Sequence, residues 1–272
     1  MNYSKKLSLP NGFVKYPTVL SPMAGVTDPP FRRLVRELSQ DRMGILVSEF
    51  ISTDGCDPFS LKNRKQASFS QEERPFGIQI FGRDPERMAN AAAMIETLSP
   101  DFIEINAGCP VPKVAGKGGG AGLLRDLPRL RKIIAEVRKV IQLPLTLKCR
   151  LGWDEESINV METLAIAEGE GIHWLTVHGR TRVQGYNGFA DWEKMGEVAS
   201  QAKIPVIGNG DVVSALGAIE VMNRYPVAGV AIGRGALHNP WLFGQIASLC
   251  DGKEVSPISA REVVQTFFRY YD

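Results

Sequence analysis

Cysteine is scarce in this chain of 272 residues and never paired: Cys56, Cys109, Cys149 and Cys250 stand far apart, with no CxxC. That spacing argues against zinc or iron–sulfur ligation and fits a reducing cytoplasm. Long apolar runs are missing as well. No stretch approaches the roughly 20 residues of a membrane span, and the opening MNYSKKLSLPNG lacks the apolar core of a signal peptide. A cytoplasmic protein with no membrane attachment is expected. The net charge is only +2, so any contact with nucleic acid has to come from a local patch rather than a global field. No GxGxxG opens a βα unit and no GxxxxGK is followed by Ser or Thr, so a tightly held dinucleotide is not expected.

What is present is the composition of a soluble globular protein, 44% hydrophobic and 23% charged. The length suits one large α/β domain, or a domain with an appendage. Short apolar runs alternate with helical patterns. Strands are expected at 18–23, 44–50, 76–81, 102–105, 145–149, 174–177, 205–207 and 230–232. The clearest helix opens at Asp84-Pro85, an N-cap and a first-turn proline, with Met88, Ala92, Ile95 and Leu98 on one face. Eight strand–helix units in about 250 residues predict a parallel (β/α)8 TIM barrel. It would occupy 1–250, closed by a short helix near 241–249. An open doubly wound sheet rarely needs eight such regular units. Residues 251–272 read as a linker and one helix capped by Ser259.

Chemistry in such a barrel lives at the carboxyl ends of its strands. Those ends read Pro22, Met23, Ala24 and Gly25, then Glu49, Gln79, and Asn106 with Cys109. Lys148 with Arg150, His178, Asn209-Gly210-Asp211 and Gly233-Arg234-Gly235 complete the ring. Barrel interiors are ordinarily Val, Ile and Leu, so a polar ring is costly unless a ligand satisfies it. The stretch 101–122 sets a carboxamide and a thiol at one strand mouth. A glycine-rich run follows, expected to be a mobile cover. Taken alone, that stretch is explained equally well by a buried structural cysteine on an ordinary turn.

The clusters after strands seven and eight fall where such barrels bind phosphate. Their glycines let backbone N–H groups approach, and Arg234 supplies a bidentate cation. The competing account is glycine turns with Arg234 in a surface ion pair. Lys148 ends an apolar run, so its ammonium points into the mouth, where an anionic ring would offset the cost of an unpaired charge. A flavin provides such a ring, with His178 and Gln79 placed to assist at its edge. A phosphate-anchored FMN fits best.

The segments SPMAGVTD (21–28) with Phe31-Arg32, QIFG (79–82), INAGCP (105–110) and LKCRLGW (147–153) are followed in order by VHGRTR (177–182), IGNGD (207–211), AIGRG (231–235) and Pro240-Trp241. Together, over about 17–250, the sequence resembles the tRNA-dihydrouridine synthases and looks closest to their bacterial B-type branch. The resemblance implies an oxidoreductase acting on a CH–CH group, an FMN enzyme that reduces a specific uridine in tRNA to 5,6-dihydrouridine with electrons from NADPH. It implies that Pro22, Met23 and Ala24 touch the flavin, with Gln79, Lys148 and His178 around its ring. It implies that Asn209, Gly210, Asp211, Gly233 and Arg234 hold the ribityl phosphate. Cys109 would be the proton donor. Hydride delivery to C6 of uracil leaves an enolate to be protonated at C5, which a thiol can do and a thiolate cannot. By the same resemblance Asn106 would orient the uracil, and Arg150, Arg182 and Tyr186 would lie near the base and its phosphate. The base must leave the RNA stack to reach a barrel mouth.

Trp153 and Tyr186 could stack on exposed nucleotides, although core packing serves equally well for Trp153. Arg32, Arg33 and Arg36 read as a solvated helix face. The family carries a C-terminal helical domain that cradles tRNA, and only 259–271 corresponds to its start. A truncated or minimal form of that domain is therefore expected, on a monomer. Two rivals stay open. One is an FMN barrel acting on a free pyrimidine, as dihydroorotate or dihydropyrimidine dehydrogenases do. The other is a non-catalytic RNA-binding barrel. Arg180 and Arg182 favour a phosphate-bearing polymer over a free base, while Cys109 with Lys148 argues for catalysis.

Overall fold

The computed structural model describes residues 7–10, 12–53 and 61–271; Cys56 lies outside them. A short antiparallel hairpin comes first, β1 (Ser8–Leu9) and β2 (Gly12–Phe13). Parallel strands follow: β3 (Thr18–Leu20), β4 (Ile45–Val47), a short β5 (Ile51–Ser52), β6 (Phe76–Phe81), β7 (Phe102–Ala107) and β8 (Leu145–Arg150). The last three are β9 (Leu175–His178), β10 (Val206–Asn209) and β11 (Gly229–Ile232). β11 pairs with β3, and β4 with β6, so eight strands close into a parallel (β/α)8 barrel as expected. The stretch 44–50 is not one strand. Ser48 turns its hydroxyl to the N–H of Gln79 (3.1 Å), which breaks the ladder between β4 and β5.

The outer layer begins with α1 (Pro29–Leu38), α2 (Leu61–Ala67), α3 (Pro85–Glu96), the short α4 (Pro112–Ala115) and α5 (Leu127–Val140). It continues through α6 (Val160–Gly169), α7 (Trp192–Gln201), α8 (Ala215–Arg224), α9 (Arg234–His238) and α10 (Leu242–Cys250). Asp28, Asp84, Asp126, Asp191 and Ser214 cap α1, α3, α5, α7 and α8, each accepting the backbone N–H three residues on. Each cap stands at the turn into its helix, which fixes the angle at which the helix leaves the barrel rim.

Because strand side chains alternate, each strand sends one set out to the helices and the other into the barrel. Outward Ile78, Ile103, Ile105, Leu145, Leu147 and Val177 belong to the main core. Inward Val19, Ile45, Phe102, Trp174 and Ile207 form a separate apolar floor, joined by Leu7 and Leu9 beside the hairpin. The Phe102 and Trp174 rings meet edge to face at 4.8 Å. Gly77 is needed beside them, since a Cβ there would lie 2.1 Å from the Phe102 ring. One step up the same inward positions turn polar, with Gln79, Glu104, Thr146 and Thr176 all buried.

Two expectations are corrected. The run 111–122 is not an irregular loop throughout: it forms α4 and a 3₁₀ turn, Gly120–Arg125, whose first five residues are buried, while 111–113, 116 and 117 are exposed. Two of its glycines serve close contact: a Cβ on Gly122 would lie 2.4 Å from the Ala115 carbonyl oxygen, and one on Gly120 2.9 Å from the Cys109 Cβ. Arg32 and Arg36 are not solvated. Arg32 is fully buried, pairs with Glu73 at 2.7 Å and lies over the Phe76 ring, and Arg36 donates to the carbonyls of Glu73 and Arg74. Only Arg33 is exposed. Trp153 is half-buried against the core, with Arg125 and Arg182 each over its ring.

After α10 an extended stretch leads to α11 (Ala260–Tyr271), capped by Ser259 as expected. This helix rests on α1: Tyr270 meets Phe31 edge to face at 6.2 Å, Arg269 pairs with Glu37, and Thr266 is buried. Val263, Val264, Phe267 and Phe268 face outward. Among the described residues no helix is long and apolar enough to cross a membrane.

Candidate active site

The carboxyl ends of β3, β7, β8, β9, β10 and β11 surround a cavity of about 590 Å³. Its lining includes Pro22, Met23, Ala24, Asn106, Cys109, Lys148, Arg150, His178, Tyr186, Asn209, Gly210, Asp211, Gly233 and Arg234. Of the sequence-predicted residues, Gly25, Glu49, Gln79 and Arg182 lie outside that lining, and the Gly25 N–H donates to the Glu49 carboxylate. Gln79 is fully buried one layer below, and Arg182 stands over Trp153 at 4.6 Å.

Lys148, His178 and Asn209 form the floor of the cavity. The Lys148 ammonium donates to Asn209 Oδ1 at 2.9 Å, and Asn209 Nδ2 donates to the Ala231 carbonyl at 2.7 Å. The Asn209 amide is thereby held one way round. His178 Nδ1, 3.0 Å from the same Oδ1, must then carry the ring proton and donate it, which leaves Nε2 as an acceptor. Burial, with Lys148, Arg150 and Arg180 nearby, drives the His178 pKa down to about 2, so the ring is neutral. Lys148 is partly open to the cavity yet deep in the protein. Burial lowers its pKa to about 8, against the pull of Glu104.

The thiol sits across from this floor. Asn106 Oδ1 accepts from the N–H of both Gly108 and Cys109, each at 2.9 Å. The Cys109 carbonyl accepts from Ala121 N, which ties the thiol loop to the glycine-rich segment. Burial raises the Cys109 pKa above its ordinary value, against Arg150 and Lys148, so the protonated form is favoured.

Arg150 spends its donors on backbone. Nε reaches the Gly108 carbonyl at 2.9 Å, while Nη1 reaches those of Thr181 and Gly185. It therefore staples the Cys109 loop to the loop that carries Tyr186. Burial lowers its pKa to about 10.

Asp211 grips Arg180 with both carboxylate oxygens, at 2.9 and 2.8 Å, and accepts the Ala190 N–H. Its side chain joins the loops after β9 and β10, leaving its backbone and Gly210 to face the cavity. Gly210 has φ +135° and a Cβ there would meet Ala190 at 2.5 Å, so only glycine suits the position. Arg234 is half exposed, 4.4 Å from the centre of the Tyr186 ring and 3.8 Å from Asp211.

Two contributors escaped the sequence reading, and a third was undervalued. Ser21 lines the cavity with a buried hydroxyl that has no partner among the described residues. Glu104 is a buried carboxyl under the floor, raised by burial to about 7. Its signal was the spacing of two from Asn106 on one strand, which puts both inside the barrel. Arg180, noted only for its charge, is the clamp just described.

A parallel barrel whose mouth brings the Lys148 ammonium and the Cys109 thiol into one cavity suits a barrel oxidoreductase better than a mere binding scaffold. Over residues 19–272 the chain matches the family described as dihydrouridine synthase (Dus), and it belongs to that family. It is 39% identical over 240 residues to a probable tRNA-dihydrouridine synthase of Rhodobacter capsulatus, covering 87% of this chain and 72% of that one. It is 40% identical over 228 residues to tRNA-dihydrouridine synthase B of Pseudomonas aeruginosa, covering 84% and 68%. Among solved structures it is similar to 2-naphthoyl-CoA reductase, with a TM-score of 0.67 at 12% identity. That likeness covers 93% of this chain and 52% of the other, and it bears on the fold alone.

Proposed function

We propose that this chain holds FMN in the barrel mouth and reduces a uridine of tRNA to 5,6-dihydrouridine, with NADPH as electron source. The observation that carries this reading is the meeting, in one cavity, of the Lys148 ammonium and a Cys109 thiol favoured in its protonated form. TRNA as substrate is supported by the names of the relatives that cover most of this chain.

The residues fit FMN. Among the described residues the buried Ser21 hydroxyl has no partner, and Lys148 has one side-chain acceptor, Asn209. Gly233 leaves the cavity wall bare beside Met23 and Ser21, where a side chain would otherwise stand. Lys148, His178, Ser21 and the 22–24 backbone would hold the ring, and Asn209, Gly210, Gly233 and Arg234 the ribityl phosphate. Gln79 would act on the ring only through Asn106, and Asp211 only through Arg180 and its own backbone. When bound, FMN supplies hydride for C6 of the pyrimidine.

Cys109 gives the proton to C5, and the nearby Arg150 and Lys148 charges steady the thiolate left behind. Asn106 orients the ring, while Tyr186 and Arg234 border the opening. Arg182, over Trp153 and outside the cavity, suits RNA flanking the base. Residues 251–272 serve as the linker and first helix of a tRNA-binding part.

Cys109→Ala tests the reading. The variant is expected to keep its flavin absorbance and lose about 100-fold or more in turnover on unmodified tRNA, the usual worth of a placed general acid. Full activity in that variant removes Cys109 from the reaction. Turnover of uracil or orotate but not of tRNA transfers the chain to the free-pyrimidine class.

A further inference from the structure

Beneath the cavity runs a chain of side-chain hydrogen bonds. Gln79 Nε2 donates to Glu104 Oε2 at 2.6 Å, and Asn106 Nδ2 donates to Gln79 Oε1 at 2.8 Å. Asn106 Oδ1 then accepts from the backbone N–H of Gly108 and of Cys109. All three side chains are buried. We infer that Glu104 is a positioning residue that sets the direction of this amide chain, and through it both the placing of the Cys109 loop and the hydrogen-bonding face that Asn106 shows to the cavity.

The argument is one of donors and acceptors. A carboxylate only accepts, whereas each amide can be turned either way round. With Glu104 at the foot, Gln79 has to turn its NH₂ downward and its oxygen toward Asn106. Asn106 must answer with its NH₂, which leaves its oxygen for the two loop N–H groups. Run backwards, the chain would set the Asn106 NH₂ against two backbone donors and undo the turn that carries the thiol. A carboxylate at the foot forbids that reversal, whereas an amide at the foot permits it.

In the observed direction the second Asn106 N–H has no partner among the described residues, and Asn106 lines the cavity. It offers a donor to a ring carbonyl oxygen, as a pyrimidine presents, and not an acceptor. This last step rests on the function proposed above; the placing of Cys109 does not. Glu104 titrates at about 7, so the carboxylate is the prevailing form at pH 8.5.

The test uses two variants of the full chain at pH 8.5: Glu104→Gln, and the swap Gln79→Glu/Glu104→Gln. The swap keeps the same atoms and charge but moves the acceptor-only group up one place, where it again forces Asn106 to donate. Two quantities are read: the rate of Cys109 alkylation by iodoacetamide, followed by peptide mass without tRNA, and turnover of the flavin-loaded enzyme on tRNA. Glu104→Gln is expected to alkylate at least about threefold faster and to turn over at least about tenfold more slowly, with the swap returning both to within about threefold of wild type.

Wild-type values in Glu104→Gln, or a swap no closer to wild type than the single variant, overturn the inference. Should Glu104→Gln fail to fold, the swap decides alone: wild-type alkylation supports the inference, and altered alkylation or an unfolded swap overturns it. An inactive wild type sinks the proposed function instead, and leaves the alkylation readout intact.

Discussion

At the scale of single residues, the barrel mouth and the layer beneath it hold groups with opposite demands on pH. The His178 imidazole refuses a proton down to about pH 2, whereas an unfolded one takes it at 6.5. Stability from this residue is therefore full above 6.5 and declines as pH falls below it. Glu104 runs the other way. Its folded pKa of about 7 exceeds the ordinary 4.5, so its contribution is present below 4.5 and lost as pH rises through 7. Between 4.5 and 6.5 the two slopes offset each other. His178→Asn removes only the first, so the unliganded variant is expected to gain stability relative to wild type as pH drops from 7 to 5. Urea midpoints for both proteins at pH 5, 6 and 7 check this, and parallel midpoints contradict it. His178 was legible because it ends a strand, a place where function is sought. Glu104 was not, because it sits inside an apolar run and only the count of two from Asn106 reveals which way it points.

At the scale of elements, the sequence was most legible where capping and periodicity agree. The strand β6 and the helix α3 lie where the apolar run and Asp84-Pro85 put them. It was least legible at 111–122, since glycine has the same letter whether it grants freedom or allows contact. Here contact prevails. Gly120 has φ +52°, and a Cβ there would sit 2.9 Å from the Cys109 Cβ and 3.0 Å from its carbonyl oxygen. Gly120→Ala should cost about 1–3 kcal/mol through left-handed strain and overpacking, and it should also displace the thiol. A lowered melting temperature together with a changed Cys109 alkylation rate is the expected pair of readings. Lost stability with an unaltered thiol would separate the segment from the active site.

At the scale of the molecule, α11 rests on α1, and no described residue of it lines the cavity. The barrel was foreseen from eight repeats of one pattern. Its stoppered lower end was not, because Leu7, Leu9, Phe102 and Trp174 come from distant parts of the chain and meet only on folding. Among the described residues that stopper fills the end of the cylinder opposite the cavity. On the function proposed above, a nicotinamide and a nucleobase bound for the same flavin face would both enter by the mouth and have to call in turn, each leaving before the next arrives. Initial rates measured across both reactants are expected to give parallel double-reciprocal lines, and intersecting lines would mean that the two guests share the room.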